Sequence, residues 1–174
     1  MSAPQETLVF YAPVEFMDFA KHENPILRFY FKYAVNYLNE DNDKRTRPSQ
    51  FFAEDCELIM PDGSKITGDE NIMPAWRRVG GGFVRVDREI LRMVLIRSPK
   101  SRSAELRLTL VMTLYKDLDE EPVRVPQAII YQIVKAPEGE GTEGLQVSQI
   151  WHAYDQEAVD EARAEMEQLA RSKR

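Results

Sequence analysis

The sequence predicts an α+β fold in which an antiparallel sheet follows N-terminal helices and a C-terminal helix closes the chain. Three observations carry this reading. Four long runs of alternating residues, joined by short polar turns, fill the second half. A helical segment that is apolar or aromatic on nearly every face precedes them. The last twenty residues repeat their apolar positions at helical spacing. At 174 residues the chain fits one domain, because two halves would each be short of core.

The elements follow in order. Residues 1–23 form a mixed opening in which Phe10, Tyr11, Phe16, Met17 and Phe19 are expected to pack as an arm or short helix. Asn24 and Pro25 read as an N-cap and first helical position. The helix that they open, ILRFYFKYAVNYLNE, is expected to end near residue 39 and to be buried on most sides. A second short helix is expected over about residues 43–53, interrupted near Pro48. Glu57–Met60 then reads as a short strand, Pro61-Asp62-Gly63 as a tight turn, and Ile66-Thr67 as the return. Gly68 and Asp69 begin another helix, which Pro74 kinks unless it lies in the first turn, and Gly80, Gly81 and Gly82 end it.

Four strands are expected over 83–97, 102–115, 123–135 and 145–154, and the short polar links between them imply antiparallel neighbours. Leu106, Leu108, Leu110, Met112 and Leu114 share one face, as do Val123, Val125, Gln127, Ile129, Tyr131 and Ile133. By the same alternation Leu145, Val147, Gln149 and Trp151 face inward, while Gln132, Ser148 and His152 face out. A one-residue bulge in the last strand inverts its part of this assignment and brings His152 in. The helix over 156–174 carries Val159, Ala162, Met166 and Leu169 on one stripe, and its acidic start and basic end suit its dipole.

Composition excludes several classes of function. A net charge of −6 gives no basic face for phosphates, so no nucleic-acid partner is expected. Lys44, Arg45 and Arg47 lie beside Asp41 and Asp43 and read as a solvated turn. The one cysteine, Cys56, allows no internal disulfide and reads as a small core residue. There is no metal-ligand cluster and no nucleotide motif, so neither a metal nor an organic cofactor is expected. The triple glycine precedes a strand, whereas a phosphate cradle needs a helix there. No apolar run approaches the ~18 residues of a membrane span. The opening MSAPQETLVF lacks the pattern of a signal peptide, and a cytoplasmic location is expected.

The stretch FFAEDCELIMPDGSKITGDENIMPAW, with the element order around it, resembles the nuclear-transport-factor-two-like superfamily. Its SnoaL-like members include polyketide cyclases, isomerases and dehydratases. The resemblance covers about residues 24–155. It implies a cone-shaped, strongly curved sheet wrapped around the first helix, with a cavity at the wide end. Residue by residue it also shows departures. Ketosteroid isomerases carry a catalytic Asp where this chain has Met60, a Tyr near Ala34, and a protonated Asp near Ile129. Limonene epoxide hydrolases carry an acidic residue shortly after a final-strand Trp, whereas Asp155 here comes later. Scytalone dehydratases use a His pair, and this chain has only His22 and His152.

The candidate site follows from these placements. Gln127 and Gln149 interrupt apolar strand faces, where an unpaired amide costs about 1–3 kcal/mol, so each needs a partner or a ligand. Tyr131, on the face of Gln127, is placed to donate a hydrogen bond to a carbonyl or developing enolate. Asp62 and His152 are the acid/base candidates. For Asp62 the alternative is a turn former bonded to its own backbone, and for His152 an outward position without chemistry. Tyr30, Tyr33, Tyr37, Met60, Trp76, Met112 and Trp151 are expected to wall the pocket. Arg28 and Arg88 are placed to meet an anionic substrate, with ordinary surface ion pairs as the alternative.

The reading that these residues support is a cofactor-independent enzyme of secondary metabolism. It would cyclise, isomerise or dehydrate an apolar polycyclic polyketide- or terpenoid-like intermediate. The alternative is a non-catalytic binding or assembly module of the same fold. A homodimer is expected through the outer sheet face, where Val111, Thr113, Ile130 and Ile150 are assigned.

Overall fold

The computed structural model describes residues 6–37, 46–97 and 103–172. The opening segment is a strand followed by a short helix: the helix expected there appears as a 3-10 helix over Phe16–Lys21, and the strand before it was not expected. β1 (Glu6–Tyr11) alternates Leu8 and Phe10 toward the core and pairs antiparallel with β4 (Arg85–Arg97), placing Leu8 opposite Leu95 and Phe10 opposite Met93. A 3-10 turn over Phe16–Lys21 then buries Phe19. Asn24 caps the next helix as expected, its Oδ1 accepting from the Ile26 N–H at 2.9 Å. α1 (Pro25–Tyr37) buries Ile26, Leu27, Phe29, Tyr30 and Tyr33 on one broad stripe and leaves Lys32 and Val35 exposed.

The short helix expected over 43–53 is absent from its described part. Pro48–Gln50 form a single 3-10 turn, and Phe52 already belongs to β2 (Phe52–Ile59), which starts five residues earlier than the expected strand. The Pro61-Asp62-Gly63 turn leads to β3 (Lys65–Thr67), with Gly63 at φ +80, where a side chain would be strained. α2 (Asp69–Gly80) contains Pro74 yet keeps Ile72, Met73, Ala75, Trp76 and Val79 buried. β4, β5 (Ser103–Tyr115), β6 (Val123–Lys135) and β7 (Leu145–Tyr154) occupy the expected positions, and α3 (Gln156–Ser172) closes the chain.

The sheet has seven strands in the order β1-β4-β5-β6-β7-β2-β3 and is curved and open. Every pairing is antiparallel except β2 with β7, which run parallel. Its inner face wraps α1, and Leu95, Leu106, Leu108, Ile129, Ile133, Val147 and Ile150 join the helix in one core. A smaller cluster at the other end joins Val79 of α2 to Met112, Leu114, Val125 and to Val159 and Ala162 of α3. No helix among the described residues is long and apolar enough to cross a membrane.

An irregularity in β7 decides which of its side chains reach the interior. Gln132 pairs with Gln149 but Ile133 pairs with Val147, so Ser148 is an extra residue in β7. Val147 and Ile150 therefore share the inner face, and the assignment from strict alternation is inverted beyond Ser148. His152 points inward, while Gln149 and Trp151 lie outside. Ile150, expected on the outer face, is wholly buried.

Candidate functional site

Arg88, Ile90, Leu110 and Leu108 reach the concave face from adjacent strands because Arg88 pairs with Met112 and Ile90 with Leu110 across β4–β5. Ile129 and Tyr131 continue that face on β6. Tyr30 and Ala34 descend from α1, Trp76 comes from α2, and the segment from Ala12 to Phe16 borders one side. Between them lies a cavity of about 450 Å³. That is the size of an ordinary small-molecule site.

Its walls are mainly carbon, with Tyr30, Tyr131, Arg88 and Glu89 as the polar residues among them. Tyr30 and Tyr131 lie with ring centroids 6.1 Å apart, and Tyr33 packs behind them 5.7 Å from Tyr131. Burial, then each tyrosine's neighbour, pushes the Tyr30 and Tyr131 hydroxyls well above their ordinary value. Both therefore stay protonated, and the Tyr131 hydroxyl shares a hydrogen bond with Tyr33. Arg88 is surrounded by the cavity walls but still open to water, as a side chain in a concave mouth is. A larger open cleft of about 1270 Å³ lies beside the first turn of α1 and the β6–β7 connection. Among the described residues no buried polar atom without a partner lines that cleft.

A second group of polar side chains is sealed behind the cavity. The Trp76 ring lines the cavity and stacks on His152, with centroids 4.5 Å apart and planes 19° from parallel. Tyr154 covers His152 at 4.6 Å on another side. Neither ring nitrogen of His152, nor Trp76 Nε1, nor Gln127 Oε1 has a hydrogen-bond partner among the described residues. Burial, and then the charge on Arg88, lowers the His152 pKa to about 3. The imidazole is therefore neutral and unreceptive to protons. Gln127 directs its Nε2 to Met112 Sδ at 3.3 Å, a weak contact.

The expected site residues thus divide. Tyr30, Trp76 and Tyr131 come together around the cavity. Tyr33, Met112, Gln127 and His152 are buried beside or behind it. Met60 packs half-buried between the two apolar clusters, and the side chain of Tyr37 lies outside the described residues. Asp62 is exposed in its turn, where its Oδ1 accepts from the Ser64 N–H at 2.8 Å. The Ser64 hydrogen bonds hold its carboxyl below the ordinary value, so the turn-forming alternative describes it. Gln149 donates to Glu57 Oε2 at 2.8 Å on the outer face, and Trp151 is half-buried there. Arg28 forms the ordinary alternative, a bridge to Glu143 at 2.8 Å.

Phe16 was expected to pack, but nothing in the sequence marks Ala12, Pro13 and Val14 as cavity wall, because the connection they form has no periodic pattern. Arg88 did leave a signal. It alternates with Val86 and Ile90, so a cation sits where the pattern calls for an apolar residue.

No protein-family model matches this sequence, and no curated protein matches it. Solved structures do. A candidate scytalone dehydratase from Novosphingobium aromaticivorans matches with a TM-score of 0.54 at 15% identity, over 75% of this chain and 82% of that one. A candidate SnoaL-like polyketide cyclase from Shewanella putrefaciens matches with a TM-score of 0.50 at 14% identity, over 82% and 98% of the two chains. A nuclear-transport-factor-two-like superfamily protein from Salmonella enterica gives 0.50 at 12% identity, over 73% and 84%. Likeness at this identity establishes the fold, which is the nuclear-transport-factor-two-like, SnoaL-like one.

Proposed function

We propose that this chain, on its SnoaL-like scaffold, binds an apolar ring-bearing molecule of polyketide or terpenoid kind. It promotes cyclisation, isomerisation or dehydration of that molecule without a cofactor. One observation carries the reading: an apolar cavity of about 450 Å³ presents Tyr30 and Tyr131, two hydroxyls that burial keeps protonated. Donors aimed at a carbonyl oxygen in a low-dielectric wall stabilise the negative charge that develops there as an enol or enolate forms. The proton lost from the adjacent carbon passes to water at the open mouth, since Asp62 lies in solvent and His152 is sealed. The candidate dehydratase and candidate cyclase among the structural matches are proteins for which chemistry of this kind is named, and they support the reading by analogy of fold.

The sealed His152 and solvated Asp62 favour a second reading, in which the cavity binds a ligand and does no chemistry. One experiment separates the two. A bicyclic ring ketone such as 2-tetralone is incubated with the protein in heavy water, and deuterium at the carbon next to the carbonyl is followed by NMR. The enzymatic reading expects exchange above the buffer rate, slowed about 100-fold in a folded Tyr30→Phe/Tyr131→Phe variant. Saturable binding without any accelerated exchange would overturn it in favour of the binding reading.

A further inference from the structure

We infer that the molecule bound in this cavity carries a carboxylate, which the Arg88 guanidinium holds at the mouth while the ring system lies against Tyr30, Trp76 and Tyr131. The inference rests on the cavity reading above and names the ligand's charge. Arg88 stands on the inner face of β4 between Val86 and Ile90, directly across from Met112, whose side chain is fully buried. Among the described residues no carboxylate lies within ion-pairing distance of it, and its one polar contact is Met112 Sδ at 4.0 Å. The neighbouring Glu89 is directed to Arg124, 3.5 Å away.

Other arginines in the fold behave differently. Arg28 meets Glu143 at 2.8 Å, Arg85 meets Asp87 at 2.7 Å, and Arg163 meets Asp160 at 3.1 Å. Arg88 instead projects into a cavity of carbon walls, where burial draws its pKa down and the nearby Tyr131, Tyr33 and Tyr30 partly restore it. It remains a cation throughout the physiological range, because arginine starts from so high a value. A guanidinium offers five N–H donors in a planar fork that matches the two oxygens of a carboxylate. Among the described residues no carboxylate oxygen occupies that fork. The adjoining hydroxyls of Tyr30 and Tyr131 stay protonated beside it, and Glu89, the acidic residue among the lining, has its carboxylate directed to Arg124. A ligand that satisfies this surface brings acceptors and negative charge.

The test compares two probes of the same shape. Binding of 2-naphthoate and of its neutral amide, 2-naphthamide, is measured by calorimetry or fluorescence on the native protein. The same measurement is made on Arg88→Met and Arg88→Lys variants checked for folding by circular dichroism and thermal melting. The expected result is that the native protein prefers the carboxylate by about 10-fold or more, the gain of a charge-assisted hydrogen bond. Arg88→Met should abolish that preference by weakening the carboxylate at least about 10-fold more than the amide, and Arg88→Lys should restore part of it as a point charge. Equal binding of both probes to the native protein, or equal weakening of both by Arg88→Met, overturns the carboxylate assignment and leaves the cavity reading standing. Failure of both probes to bind overturns the cavity reading and this inference with it. A variant that fails to fold is replaced by Arg88→Gln, which keeps a polar though shorter arm without the charge.

Discussion

Replacing His152 should flatten the pH dependence of stability on the mildly acid side of neutrality. The folded-state pKa of this histidine is about 3, depressed first by burial and then by Arg88, whereas an unfolded chain returns it to about 6.5. A depressed base means that below pH 6.5 the unfolded state binds a proton that the folded state refuses. Stability from this group is therefore full above pH 6.5 and lost as pH falls, down to about pH 3. Integrating between pH 7.5 and 5.5 gives a loss of about 1.4 kcal/mol from this side chain. The figure depends only on the folded pKa lying well below 5.5, so the depth of the shift hardly matters. Carboxylates stay largely ionised in this window and contribute little. The assay is urea unfolding of the native chain and of His152→Leu at both pH values. The other histidine, His22, is present in both proteins and cancels in the difference. The native chain should lose about 1.4 kcal/mol more than the variant on moving to pH 5.5. Equal losses would refute the claim that His152 is held neutral by the fold.

Two further outcomes test the outer surface and a loop. We propose that the chain forms a homodimer through its outer sheet face, where Val111, Ile130 and Trp151 remain half-exposed and Trp151 sits directly across from Ile130. Light scattering should give twice the chain mass at micromolar concentration, and Trp151→Glu should shift it to a monomer. At Gly141, φ is +76 and an added Cβ would stand 2.5 Å from both the Ala136 Cβ and the Leu145 carbonyl oxygen. Gly141→Ala should therefore cost about 2 kcal/mol or more in urea unfolding, and Gly139→Ala, at φ +83 with open space around it, about 1 kcal/mol.

The elements that were legible in the sequence are those whose packing repeats. β6 and β7 begin and end where alternation and turn residues place them, and the Asn24-Pro25 start of α1 is visible because capping is local chemistry. β1 was not legible as a strand, since its six residues show only a weak alternation and its partner β4 lies some eighty residues away. The parallel pairing of β2 with β7 is likewise set by the closure of the sheet, which no local pattern records.

The site was half legible, and β7 shows why. Its sequence LQVSQIWHAY contains two frames. Counting by twos from Leu145 puts Val147, Gln149 and Trp151 inside, whereas counting back from Tyr154 puts His152 and Ile150 inside. Both frames are satisfied only if one residue is skipped between Val147 and Ile150, and Ser148 is that residue. The three-residue spacing of the two buried aliphatics is the signal that strict alternation passes over. Tyr131 was placed correctly because β6 contains no such skip within its alternating run.

The bulge also gives Trp76 a double role that can be tested. One side of its ring walls the cavity and the other lies flat on His152, so Trp76 is what separates the donor-lined space from the sealed imidazole. Arg88 acts across this partition, lowering the His152 pKa while lining the cavity itself. Trp76→Ala should therefore join the two spaces and admit water to His152. Restored hydration removes the larger cause of the depressed pKa, and the residual charge of Arg88 then leaves it somewhat below the ordinary value. The substitution removes a large buried ring and should cost about 3–5 kcal/mol, so Trp76→Leu is made beside it as the milder opening. The measurement is the chemical shift of the His152 ring protons between pH 4 and 8 in the folded proteins. The native chain should show no inflection for His152 in that range, and the opened variants should show one between about pH 5 and 6.5. If His152 in a folded, opened variant still shows no inflection, the partition assigned to Trp76 is wrong.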